Sequence, residues 1–107
     1  MTDESNLVSD AFKHFMSDAP EFAQAWGSAV QALAQASALD DKTRELAYLA
    51  VLASLNRTSG ISFHVASLKD KGATREEVIS AILVGLPAAG HVVTQSLPSA
   101  IEAYDTE

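Results

Sequence analysis

The 107-residue sequence contains no cysteine. That excludes a disulfide framework, a thiolate metal site and a thiol redox couple, and with the first of these the usual staple of small secreted domains. Basic residues are scarce: 7 Lys and Arg stand against 14 Asp and Glu, for a formal charge of −7 and a pI near 4.7. So few scattered cations cannot form the positive stripe that a phosphate backbone requires. Nucleic acid is therefore not an expected partner, and an anionic membrane is disfavoured likewise. Glycine and proline are sparse, at 5 and 3, and no Asn-Gly or Asp-Gly pair marks a hairpin. The longest apolar stretch, residues 46–55, falls well short of the about 20 residues that span a bilayer. The opening MTDESNLVSD is acidic and polar, unlike a signal peptide, and a cytoplasmic location is expected.

What is present is a globular composition, 48% apolar against 20% charged, of a length that suits one domain over 1–107. The periodicities are helical, and no strand alternation stands out. Leu7, Val8, Ala11, Phe12, Phe15 and Met16 share one face of a first helix that should end before Ser17-Asp18. Asp18-Ala19-Pro20-Glu21 reads as a cap and first turn opening a second helix, whose apolar stripe is Phe22, Trp26, Ala29, Val30 and Leu33. Asp40 or Asp41 caps a third. From Leu46 to Leu55 only Tyr48 and Ser54 carry polar groups. A helix apolar on nearly all sides is expected to be enclosed, centrally in the domain or partly against a second subunit.

A fourth helix should start near Thr58 or Ser59 and stop at Gly72, where a left-handed cap suits glycine. Thr74-Arg75-Glu76-Glu77 is a capping box opening a fifth helix, with Val78, Ile79, Ile82, Leu83 and Leu86 facing inward. After Pro87 a last helix runs through Val93, Leu97, Ile101 and Tyr104, with Pro98 starting or kinking part of it. The expectation is an all-α fold, a compact bundle of about six helices.

Candidate chemistry gathers where the third and fourth helices meet. Glu45 is expected in the first turn of its helix, where the dipole favours an anion. It reads either as a surface acid pairing with Lys42 or Arg44, or as a general acid or base whose pKa partial burial would raise. His64 shares a helix face with Ile61, Val65 and Leu68, a setting that suits a core histidine as well as a functional one. Thr58-Ser59-Gly60 would place hydroxyls and backbone N–H groups near it, where an anion or carbonyl oxygen could be held. Arg57 is either a solvated charge or a fork for a substrate carboxylate. His91, after Gly90, is a weaker candidate for the same pocket, and His14 lies among Phe12, Phe15 and Met16. No H-E-x-x-H spacing suggests zinc, and neither a Walker loop nor G-x-G-x-x-G suggests a nucleotide, so no metal and no cofactor is expected.

Two stretches, LDDKTRELAYLAVLASLN and FHVASLKDKGATREEVISAILV, resemble the carboxymuconolactone decarboxylase family, which includes the alkylhydroperoxidase D-like proteins. The most recognisable part is 39–86. The alkylhydroperoxidase motif runs Glu-x11-Cys-x-x-Cys-x3-His, and Glu45 and His64 occupy its outer positions while Arg57 and Gly60 stand where the cysteines would be. Reducing a peroxide through a dithiol needs a thiolate and a resolving partner, so that activity is excluded here. The decarboxylase branch works without the cysteines on a small carboxylated lactone. The resemblance implies a compact helical subunit assembled into homotrimers or homohexamers. It also implies a lyase- or isomerase-type role in which Glu45 and His64 are catalytic; Arg57, Thr58, Ser59 and His91 are expected to bind the substrate from their residue types and positions. The alternative is a non-catalytic oligomeric binding or scaffold protein that kept the fold after losing its thiols.

Overall fold

A computed structural model describes residues 8–106. The chain forms α1 (Asp10–Asp18), α2 (Pro20–Ala36), α3 (Asp41–Ser54), a 3₁₀ turn (Thr58–Gly60), α4 (Ile61–Asp70), α5 (Arg75–Leu83), the short α6 (Leu86–Ala89), a 3₁₀ segment (Gly90–Ser96) and α7 (Leu97–Asp105). No strand occurs among the described residues. Arg75 to Asp105 is one continuous helical run of 31 residues. Counting that run as one gives five helices, fewer than the six or so expected. Pro87 and Pro98 fall in the first turn of α6 and α7, where a missing N–H leaves no bond unmade, so each restarts the helix instead of forcing a loop. By length and composition this run is long and apolar enough to cross a membrane; Val78, Ile82, Val93 and Ala100 are its apolar residues buried in the core, and most of the run is not buried.

Local signals place most of the ends. Asp40 caps α3 by accepting the Thr43 N–H at 2.8 Å, and the Thr74–Glu77 capping box is closed in both directions. α4 ends in a Schellman motif at Gly72, φ +89°, with the Ala73 N–H on the Leu68 carbonyl and the Gly72 N–H on that of Lys69. α3 ends the same way at Asn56, φ +56°, through the Arg57 N–H to Leu52 and the Asn56 N–H to Ala53. Asparagine tolerates this left-handed region better than other non-glycine residues, which is what turns the chain sharply into α4. The start of α2 departs from expectation. Asp18 is the last residue of α1, not a cap, and Ala19 precedes α2 with no side-chain hydrogen bond. Asp18 bonds His14 instead, at 2.6 Å.

The core lies where α3, α4, α5, the 3₁₀ segment and α7 converge, on Leu49, Ala53, Ile61, Val65, Leu68, Val78, Ile82 and Val93. α1 and α2 stand apart as an arm. They pack on one another through edge-to-face contacts among Phe12, Phe15 and Trp26, with ring centroids 5.6–6.3 Å apart, and touch the body sparsely. No residue of α1 is buried, and in α2 only Ala23 is. The apolar faces of both helices are thus formed as the periodicity suggests but lie open; Leu7 falls outside the described residues. α3 is enclosed on one side only, through Leu49 and Ala53, while Tyr48, Val51 and Leu55 are exposed.

One core group is out of place. Ser96 is fully buried and its hydroxyl finds no partner among the described residues, so it carries a desolvation cost with no bond there to offset it. Ser96→Ala is expected to raise stability by about 1 kcal/mol in urea unfolding. Unchanged or lower stability would mean that the hydroxyl is satisfied.

Candidate functional site

Helical geometry assembles the site from two facing stripes. On α3, Glu45, Tyr48 and Leu52 follow at i, i+3 and i+7, and so do His64, Ser67 and Lys71 along α4 and its C-cap. All three polar groups of α4 converge on one carboxylate. Glu45 Oε2 accepts from His64 Nδ1 at 2.8 Å, and Oε1 accepts from Ser67 Oγ at 2.8 Å and Lys71 Nζ at 2.9 Å. The Glu45 side chain is 10% exposed and that of His64 26%. The His64 ring sits edge-on between Tyr48 and Phe63, at centroid distances of 4.9 and 5.4 Å.

Glu45 therefore differs from expectation in three ways. It lies in the second turn of α3, since Asp40 is the cap, so the helix dipole has largely fallen off and side chains of α4 hold the charge instead. It pairs with neither Lys42 nor Arg44, which are engaged by Glu77 at 3.0 Å and Asp41 at 2.6 Å. Its pKa is lowered, not raised. Burial alone would push the carboxyl up, but hydrogen bonds from His64, Lys71 and Ser67, with the Lys71 charge, outweigh it and hold the group at about 2 against an ordinary 4.5. An ionised carboxylate only accepts hydrogen bonds, so His64 must carry its Nδ1 proton. That fixes the ring and leaves Nε2 for other chemistry.

Ser67 and Lys71 are partners of Glu45 that sequence reasoning missed. The signal was the polar stripe His64, Ser67, Lys71 on α4, readable once Glu45 is taken as facing that helix. Removing Lys71 takes away the ammonium paired with the carboxylate. Lys71→Met is expected to cost about 1 kcal/mol at neutral pH, its half-exposed ammonium being partly screened, and to move the onset of acid unfolding to higher pH. Denaturation at several pH values checks both; an unmoved acid onset would assign the hold on Glu45 to His64 and Ser67.

The remaining candidates do not join the pair. Arg57, Thr58 and Ser59 are exposed at the α3–α4 junction, and among the described residues their side chains make no hydrogen bond or ion pair. The 3₁₀ turn also uses backbone N–H groups expected to be free, those of Gly60 and Ile61 bonding the carbonyls of Arg57 and Thr58. His91 is exposed, with its carbonyl accepting from Thr94 Oγ1 at 2.7 Å, and shows no contact with His64. His14 belongs to the arm. No cluster of metal-ligating side chains occurs among the described residues.

The family model for carboxymuconolactone decarboxylases matches residues 20–102. The chain belongs to the carboxymuconolactone decarboxylase family. The match extends beyond 39–86 to take in α2 and most of α7. A crystal structure of an apo carboxymuconolactone decarboxylase family protein from Legionella pneumophila superposes with a TM-score of 0.78 at 28% identity, over 95% of this chain and 94% of that one. No curated protein matches the sequence.

Within this family the chain is a member without cysteine. Gly60, where the resembling alkylhydroperoxidase motif would have a cysteine, lies near the histidine. A Cβ built there would sit 3.4 Å from Leu52 Cδ1 and 3.9 Å from His64 Cδ2, both ordinary contacts. The backbone at Gly60, φ −92°, is open to any residue. Position 60 thus has room for a Cβ beside the imidazole, and in this chain it carries none.

Proposed function

We propose that the protein is an acid–base catalyst of the decarboxylase type acting on a small carboxylated lactone or a related acid. His64 is the proton-transferring residue and Glu45 its positioning residue. The observation that carries this reading is the 2.8 Å bond from His64 Nδ1 to a carboxylate that stays ionised down to a pH of about 2. When a carboxylate leaves as carbon dioxide, its bonding pair passes into the conjugated lactone carbonyl, and a proton delivered to a ring carbon then moves the double bond. An imidazolium stabilised by Glu45 can supply that proton from Nε2, and the neutral ring it leaves is still held by the same hydrogen bond. Arg57, exposed at the adjoining junction, is the cation available to a second substrate carboxylate.

The test is consumption of a carboxylated lactone by the purified protein, followed by loss of substrate and release of carbon dioxide. Turnover is expected. Unconsumed lactone across the pH range in which the chain stays folded, in parallel with turnover by an authentic family decarboxylase, rejects the proposal.

Two observations favour the second reading, a binding protein without catalysis. Gly60 presents no reactive group to His64, and Arg57, Thr58 and Ser59 do not close over the pair. Thermal stabilisation by small carboxylic acids that is lost in Arg57→Ala, without any turnover, would select it.

A further inference from the structure

A single negative charge in the site is shared between two basic side chains. Glu45, its side chain 10% exposed, gives Oε2 to His64 Nδ1 at 2.8 Å and Oε1 to Lys71 Nζ at 2.9 Å. Because the carboxylate is largely withdrawn from water, a net charge on the cluster is poorly solvated and the balance of charge matters. With Lys71 in place and the imidazole neutral, the cluster sums to neutral, and protonating His64 makes it positive. Without Lys71 the order reverses. A neutral imidazole would then leave the carboxylate uncompensated, and an imidazolium would restore neutrality. The ammonium therefore opposes the imidazolium, and its loss favours it.

The fold commits Lys71 to this place. It is the C-cap of α4, where a cation suits the helix dipole, and the turn at Gly72, φ +89°, follows directly. Among the described residues no other charged group bonds the pair. On α3, Lys42 and Arg44 are held by Glu77 and Asp41, and Tyr48 meets the imidazole edge-on. Lys69 turns to α7, where it donates to the carbonyls of Tyr104 and Thr106 at 2.8 and 3.2 Å, and Asp70 is exposed. Of the groups on α7 and α5, Asp105 pairs with Arg75, the Tyr104 hydroxyl donates to the Ala73 carbonyl, and Glu76 and Glu102 are exposed. Arg57, before the 3₁₀ turn, is exposed as well.

We infer that Lys71 is a positioning residue for His64 acting through Glu45, its ammonium balancing the carboxylate so that the imidazole can release its proton as well as take it up. A ring that holds its proton too firmly is a poor acid, so this balance serves proton transfer. That use of it rests on the proposed acid–base function, whereas the balance itself does not.

NMR titration of the imidazole C–H signals tests the inference in the folded protein. With 3 histidines in the chain, the His64 signal is assigned by its loss in His64→Gln. In Lys71→Met the ring is expected to bind its proton about three- to tenfold more tightly than in the parent and so to titrate at higher pH, an effect between that of a screened and a sheltered charge pair. Lys71→Arg keeps the charge and should restore the parent titration. Ser67→Ala removes a hydrogen bond to the same oxygen but no charge, and should move the titration less than Lys71→Met. In a Glu45→Gln background the Lys71→Met step should lose most of its effect, because no carboxylate then holds the ammonium beside the ring. If Lys71→Met unfolds, Lys71→Gln makes the same comparison. Four results would overturn the inference. They are an unmoved or lowered titration in Lys71→Met; an equal shift in Lys71→Arg, which would mean local rearrangement; an equal shift in Ser67→Ala, which would mean a hydrogen-bond effect; and an undiminished shift in the Glu45→Gln background, which would bypass Glu45. Where a carboxylated lactone is turned over, the pH profile of kcat should move in the same direction. Absence of turnover would reject the proposed reaction, and the titration would still decide the role of Lys71.

Discussion

Replacing His64 by glutamine is expected to lower turnover of a carboxylated lactone by about 100- to 10,000-fold, the usual contribution of a positioned acid–base group. Glutamine retains an N–H that can reach Glu45, so the carboxylate keeps a donor and the fold should survive. It has no group that releases and recovers a proton near neutral pH. The loss should therefore fall on kcat, with KM little changed, because His64 is asked to act in the transition state and not to bind the ground state. Arg57→Ala should do the reverse, raising KM for a substrate that carries a second carboxylate. A His64→Gln protein that turns over within a few-fold of the parent would remove the imidazole from the mechanism and leave the binding reading.

Much of the body was legible because its signals are local. Asp40, Thr74 with Glu77, and Gly72 each end a helix through bonds made within a few residues, and such bonds leave a mark in the sequence. The arm was legible only by halves. A stripe at helical spacing says that Phe22, Trp26 and Leu33 need cover, but it does not say what covers them; among the described residues Trp26 is half covered by Phe12 and Phe15, while Phe22 and Leu33 stay largely exposed. The continuous run from Arg75 to Asp105 was obscured for a related reason: proline reads as a boundary, but in the first turn of a helix it is compatible with continuing the path.

The site divides along the same line. Glu45 and His64 could be picked out by their positions at the ends of a motif, and they are bonded to one another. The electrostatics could not be read. Burial of a carboxyl predicts a raised pKa, and the outcome depends instead on how many donors face it, a property of α4 and not of the residues beside Glu45. Ser67 and Lys71 turn a would-be acid into a fixed anion. In the proposed mechanism a general acid role for Glu45 thereby gives way to one in which it orients the imidazole.

That fixed anion should make the protein acid-sensitive, by about 3 kcal/mol from this one group. In the unfolded chain the Glu45 carboxyl takes up its proton near its ordinary 4.5, whereas in the folded chain it holds out to about 2. Between those values the unfolded state binds more protons, so stability falls as pH falls. Above pH 4.5 the contribution is complete and flat; below a pH of about 2 it is gone. The lowered carboxyls of Asp40, Glu77 and Asp105 act in the same direction, but they lie at the surface and are common to every variant compared. Glu45→Gln isolates the effect. It should be less stable than the parent at neutral pH and should close that gap as the pH is lowered through the window, in urea unfolding at fixed protein concentration. If the two stability curves run parallel from neutral pH to the acid limit, Glu45 is not held ionised by His64, Ser67 and Lys71. The fixed Nδ1 proton on which the proposed chemistry depends would then lose its cause.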